Sequence, residues 1–530
     1  MEHYFNCSSD GPIVKTHAGL LRGFQLDTTY TFQGIRYAKA DRFKMPEEVE
    51  PWDGVKDATS YGYVCPLLNQ DVPNGEVLIA HRYWPMDENC QYLNIWTQSL
   101  DVNAKKPVLV WLHGGGFYAG SSIEQVCYDG TNLSAFGDVV VVSLNHRLNV
   151  FGYFNLSQYG EEYANSGNLG NADIVEALRW IQNNIAGFGG DPDNVTLFGQ
   201  SGGGMKVWTL MQTPAADHLY HKGVVLSGAL EDFIEEKNTD GRPLVRAMLK
   251  HLGLTESEVK KLETVPARDL IDAYNAVSQE VLGSGGCIGG HPIRNGFYLG
   301  DPVEVGFTDY AKSVPLLVGS VFSEIGFGPG VKHKYELSEE ETRAIVEKRF
   351  SAATDEIISL FKKAYPGKAA TDLLYYDVFF RKPSRALINA KAKCTEAPTY
   401  AYLFAYDFPI DDGKSAWHCS DLPFIFHNAD IVPVANIPGV SDALQDKMAG
   451  ALIAFAKTGN PAWDKDVNWP ACTENKEWTM VFENTSAEAK CNFDAALQDA
   501  VCAATPFNPF SVTQRRKWVK NPPKKEMFLH

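Results

Sequence analysis

Short apolar runs separated by amphipathic stretches dominate the first half of the chain. Residues 108–112 and 139–144 are apolar at consecutive positions, as strands buried on both faces of a parallel sheet require. Residues 171–185 place Ile174, Ala177, Leu178 and Ile181 at helical spacing. The turn signal Asp191-Pro192-Asp193 follows, and residues 195–199 read as a third strand. Residues 224–226 and 316–318 predict two more. Strands alternating with helices imply an α/β fold with a central, mostly parallel sheet and helical insertions. The second half is more helical. Residues 254–277 predict a charged amphipathic segment. Residues 442–457 predict a helix with Ser441 as its N-cap, stopped by Gly459 and Pro461. No repeat or Pro/Gly/Ser-rich linker divides the chain, so residues 1–530 are expected to form one large domain. Residues 511–530 are expected to be a flexible basic tail.

Composition narrows the function classes. The 530 residues are 45% hydrophobic and 21% charged, an ordinary globular balance. A net charge of −17 argues against nucleic acid and anionic membranes as partners. No apolar run approaches the roughly 20 residues of a membrane span. Residues 1–6 show neither the basic nor the apolar region of a secretory signal, so the expectation is a cytoplasmic protein, or a secreted one if a leader was removed. The ten cysteines include no C-x-x-C pair, and neither a metal nor a cofactor is expected. The sequons at Asn6, Asn132, Asn155, Asn194 and Asn484 are taken as chance matches.

The chemistry sits in two glycine-rich segments. Gly199-Gln200-Ser201-Gly202-Gly203 fits G-x-S-x-G between a predicted strand and a predicted helix over residues 205–211. That is the setting of a nucleophile elbow, where a tight turn needs neighbours without bulk. A serine hydroxyl is a weak nucleophile and needs a base and a site for the developing oxyanion. His113-Gly114-Gly115-Gly116-Phe117, directly after the strand at 108–112, is the type of loop whose amides receive that oxyanion. A phosphate-loop reading of Gly114, Gly116 and Ala119 fails because no helix signal follows at once.

With these motifs in place, the chain resembles the type-B carboxylesterase/cholinesterase family over about residues 12–510. The resemblance rests on residues 88–96, on the run from Gly167 through Ala177-Leu178-Arg179-Trp180-Ile181 to Ser201, and on Lys457-Thr458-Gly459-Asn460-Pro461. It implies the α/β-hydrolase fold and a Ser…Glu…His triad of Ser201, Glu324 and His418. It also implies oxyanion donors at Gly115, Gly116 and Gly202, with Ser227 and Gln200 supporting the triad. A disulfide Cys65–Cys90 and ion pairs Arg42–Glu88 and Arg147–Asp173 are implied likewise. The sequence departs from the family at the nucleophile. Gln200 stands where glutamate is usual and Gly202 where alanine is usual. Loss of that carboxylate weakens a choline-type reading, and Trp84 does not match the spacing of the family's choline-binding tryptophan. The expected function is hydrolysis of small carboxylic esters through an acyl-enzyme. Amide or lactone hydrolysis by the same triad, and a non-catalytic binding or adhesion role on the same scaffold, are the alternatives.

Overall fold

In the computed structural model, residues 3–69, 79–234, 238–505 and 508–520 are described. The core is a twelve-stranded sheet. Its strands in chain order are β1 (Phe5–Asn6), β2 (Phe24–Leu26), β3 (Thr29–Arg36), β4 (Tyr92–Thr97), β5 (Lys106–Leu112), β6 (Val140–Leu144), β7 (Gly190–Gln200), β8 (Lys222–Leu226), β9 (Leu316–Val321), β10 (Thr399–Phe404), β11 (Trp478–Phe482) and β12 (Ala487–Cys491). Their order across the sheet is β1-β2-β3-β4-β6-β5-β7-β8-β9-β10-β11-β12. The pairings from β6 through β5 to β11 are parallel, and both ends of the sheet are antiparallel. All five strands expected from sequence are present. β5, β6 and β9 are buried along most or all of their length because helices cover both faces. This is the α/β-hydrolase fold.

Five helices carry the argument below: α1 (Leu169–Asn184), α2 (Gly202–Leu210), α3 (Ala267–Gly283), α4 (Ser441–Thr458) and α5 (Val512–Lys520). Several expectations are corrected. Asp191-Pro192-Asp193 does not end the connection to β7. It lies inside β7, where the register with β5 jumps from Lys106↔Gly190 to Val108↔Val195, so the extra residues bulge out. The charged amphipathic segment at 254–277 is two helical pieces: a 3-10 segment, Glu256–Glu263, stops before Pro266, which lacks the N–H to continue it, and α3 starts afresh. Ser441 is not an N-cap. It is the first residue of α4, and its hydroxyl bonds back to Asn436 and Ile437. Gly459 does close α4, in the left-handed conformation that favours glycine.

The expected flexible tail is corrected over its described part. α5 is a helix docked on the body of the protein. Val512 N–H donates to the Asp232 carbonyl at 2.8 Å, and the Asp232 carboxylate accepts the Thr513 N–H and the Ser511 hydroxyl. Arg516 donates to the carbonyls of Gly285 and Gly286, just beyond α3. Residues 521–530 lie outside the described residues.

Of the pairings implied by resemblance, Arg147–Asp173 forms a fully buried bidentate pair at 2.6 and 2.9 Å. Arg42 pairs with Glu88. Cys65 and Cys90 are buried neighbours but remain thiols, so the implied disulfide is not formed. Burial, and then the hydrogen bond to Cys65, push the Cys90 thiol well above its ordinary range. No described helix is long and apolar enough to cross a membrane.

Candidate active site

β7 delivers Ser201 and α2 begins directly after it. The serine backbone sits at φ 56°, ψ −124°, a conformation that costs a non-glycine residue about 1–3 kcal/mol. The surroundings hold it there. Ser201 N–H donates to the Leu226 carbonyl on β8 at 2.8 Å, and the Ser201 carbonyl accepts from Met205 N–H on α2 at 3.0 Å. Gly203 lets the turn press against the end of β5: a Cβ there would fall 1.9 Å from the Leu112 carbonyl oxygen. The strained turn is thereby held through its backbone bonds.

The loop after β5 arches over this elbow. Gly115 and Gly116 take φ of 88° and 62°, which turn consecutive backbone units in directions a side chain would oppose. Among the described residues the N–H groups of Gly115 and Gly116 donate to no protein acceptor. The Gly202 N–H is in the first turn of α2, where the helix itself supplies no acceptor. The contact between loop and elbow is very close: a Cβ on Gly202 would lie 2.4 Å from Gly116 N and 2.2 Å from its carbonyl oxygen.

Glu324 and His418 arrive on two loops beyond the ends of β9 and β10. A short parallel bridge ties these loops together: Ser323 N–H donates to the Ala416 carbonyl at 2.8 Å, and His418 N–H to the Glu324 carbonyl at 3.1 Å. The side chains then meet, His418 Nδ1 lying 2.6 Å from Glu324 Oε2. The other carboxylate oxygen accepts the Val321 N–H at 3.0 Å. With Nδ1 facing a carboxylate, Nε2 is the ring atom left to accept a proton. In this structure Nε2 faces the Gln200 amide nitrogen at 3.1 Å, and no hydrogen bond joins it to Ser201 Oγ.

Gln200 is therefore in contact with the histidine. Its carbonyl oxygen also accepts from the Cys419 thiol at 3.2 Å. Ser227 does not support the acid as expected: its buried hydroxyl has no partner, and the Val321 N–H holds Glu324 instead. Among the described residues no group of three or more His, Cys, Asp or Glu is placed to hold a metal ion.

Ser201 in its tight turn, the His418–Glu324 pair and the unpaired amides of Gly115 and Gly116 are the groups that an acyl-transfer centre would need. The family model for the carboxylesterase family matches residues 10–500. The chain belongs to the carboxylesterase family. This carboxylesterase is 34% identical to the para-nitrobenzyl esterase of Bacillus subtilis over 487 residues, 89% of this chain and 95% of that one. It is 31% identical to the phenmedipham hydrolase of Pseudarthrobacter oxydans, covering 90% and 96% of the two chains. Among solved structures it is similar to an esterase from Clostridium hathewayi, described as able to hydrolyse aliphatic aromatic polyesters, with a TM-score of 0.92 and 52% identity over 95% of this chain and 100% of that one. The protein is a carboxylic ester hydrolase.

The carboxylesterase site includes residues that sequence reading did not single out. Asp377 and Asp421 are buried beside the Glu324–His418 pair. Burial first, and the nearby Glu324 next, raise the Asp377 carboxyl above its ordinary range. Asp421 is pushed up to about 6 by burial, with Glu324 adding to the effect and the Tyr402 hydroxyl opposing it. Asp421 lies three residues after His418, the one sequence signal that could have found it. The Phe380 ring lies 4.7 Å from the His418 ring, and Phe510, just before α5, stacks edge-on against Phe380 at 5.5 Å. Nothing local in the sequence marks these aromatics.

Proposed function

We propose that this enzyme hydrolyses uncharged carboxylic esters through an acyl-enzyme on Ser201. His418 Nε2 takes the serine proton as the hydroxyl attacks the ester carbonyl, then returns it to the departing alcohol. Glu324 holds the imidazole and offsets its positive charge. The N–H groups of Gly115, Gly116 and Gly202 receive the oxyanion of the tetrahedral intermediate. Water, activated by the same His418, then releases the acid. The observation that carries this reading is the 2.6 Å Glu324–His418 contact beside a strained Ser201 turn and unoccupied loop amides. An organophosphate tests it. One equivalent should be taken up, at the peptide containing Ser201, with complete loss of esterase activity. Stable labelling elsewhere with parallel loss of activity would remove Ser201 from the mechanism.

The uncharged substrate class follows from Gln200. A unit charge about 5 Å from a cation is worth roughly 3 kcal/mol at an effective dielectric near 20. With an amide at this position that contribution is absent. Trp84 is not a free cation platform either. It packs edge-on against Tyr61 at 5.6 Å, and the Arg82 cation stands near the same tyrosine. A choline ester and its uncharged isostere should therefore show kcat/KM values within about tenfold of each other, or roughly 1.4 kcal/mol. A larger choline preference, persisting at moderate salt, would overturn the assignment. The polyester activity named for the 52% identical esterase extends the same class to aliphatic aromatic ester links, which an uncharged-ester site accommodates.

A further inference from the structure

Against the start of the loop that carries Gly115 and Gly116 lies a lysine. Lys206 is on the second turn of α2, five residues after Ser201, and is fully buried. Its Nζ donates to the His113 carbonyl at 2.9 Å. Among the described residues no carboxylate lies within ion-pair distance of it. His113 opens the glycine run, and its ring stacks on that of His146 at 5.2 Å. A buried ammonium with a single carbonyl partner is an expensive group to keep, and an apolar side chain of similar length would fill the same space. Its one directed contact is with the first residue of the oxyanion loop.

We infer that Lys206 is a positioning residue of the oxyanion loop, fixing Gly114–Gly116 over Ser201 through the His113 carbonyl and placing a positive charge behind the developing anion. The inference rests on the reading of Gly115 and Gly116 as oxyanion donors. Burial pulls the Lys206 ammonium down to about 7, and Glu124 partly opposes this. The groups facing it from the surrounding elements are His113, His146 and Glu124, with the Phe117 ring 6.0 Å away. Both histidines are held well below their ordinary range by burial first and then by Lys206, so they stay neutral. Arg147, which also bears on His146, is neutralised by Asp173. Lys206 is thus the group here whose charge changes near neutral pH.

Two consequences follow. The folded-state value lies below that of the unfolded chain, so between about 7 and 10.5 the unfolded chain binds the extra proton and the lysine's burial penalty shrinks as pH rises. Lys206→Met should therefore fold with an equal or higher melting temperature. Its kcat should nevertheless fall by about tenfold or more, since the loop donors act on the transition state, with KM changed less than about twofold. Affinity for a trifluoromethyl ketone transition-state analogue should drop in parallel. In the wild type, kcat should carry a limb that descends as pH rises through about 7, and Lys206→Met should lack it. Unchanged kcat in Lys206→Met, or a kcat loss with unaltered analogue affinity, would overturn the inference. Should the methionine variant not fold, analogue binding by the wild type decides: weakening as pH rises through about 7 supports the inference and flat binding refutes it. Gly115→Ala, whose Cβ would fall 2.3 Å from the Ala119 carbonyl oxygen and so must displace the loop amides, is run beside it and separates the two readings. If that variant keeps full activity, the oxyanion assignment fails whatever Lys206 does.

Discussion

Ser201→Ala should hydrolyse esters at no more than about one-thousandth of the wild-type kcat while keeping the wild-type fold. The side chain makes no hydrogen bond that the fold depends on. The main-chain bonds to Leu226 and Met205 are retained, so a methyl group in place of the hydroxymethyl costs the structure little. What is lost is the atom that bonds to the acyl carbon. His418→Ala should fall to nearly the same residual rate, and the double variant little further, because nucleophile and base act as one unit. Steady-state kinetics on a chromogenic ester, with circular dichroism as the folding control, checks all three. Residual activity of Ser201→Ala above that level would mean that another nucleophile does the chemistry. An equal loss from His427→Ala would count against His418. The structure gives His427 a different partner, Asp446, at 2.7 Å from its Nε2.

The second large effect comes from restoring the residue usual in the family. Gly202→Ala should lower kcat by about a hundredfold, the scale expected when reacting groups are misplaced by about 1 Å. The added Cβ would stand 2.4 Å from Gly116 N and 2.4 Å from its Cα, backbone against backbone, whereas ordinary contact begins near 3.4 Å. Neither side is a flexible side chain that can rotate away. The loop must retreat, and it is the loop whose amides are proposed to receive the oxyanion. In this chain the loop has settled into the space that the absent methyl leaves open. Binding of the ground-state ester should change little, so the loss appears in kcat and in the rate of organophosphate labelling. Labelling and turnover within twofold of wild type would show that the loop tolerates the methyl and that its closeness to Gly202 is not part of the catalytic geometry.

Sequence alone determined the parts of this protein that depend on local order. The apolar runs at 108–112, 139–144 and 316–318 could be satisfied only inside a covered sheet, and they became β5, β6 and β9. Ser201 was legible because an elbow needs small residues at fixed offsets, and those offsets lie within five positions. Glu324 and His418, 94 residues apart, were legible only through family resemblance. Tertiary structure decided everything that required knowing which distant groups meet. Ser227 turned out to be without a hydrogen-bond partner, while the main chain of Val321, three residues before Glu324, serves the acid. Gln200 lies against His418 across 218 residues of chain. Residues 511–520 read as a solvated basic tail because their charges have no partners nearby in sequence. Arg516 finds the carbonyls of Gly285 and Gly286, and Ser511 and the Thr513 N–H find Asp232, all more than 200 residues away. Nothing local in the sequence marks Lys206, and only the fold brings it against the His113 carbonyl. Periodicity reports whether a position faces inward. It carries no information on what waits there, because hydrogen-bond partners and desolvation are set by chain segments brought together only on folding.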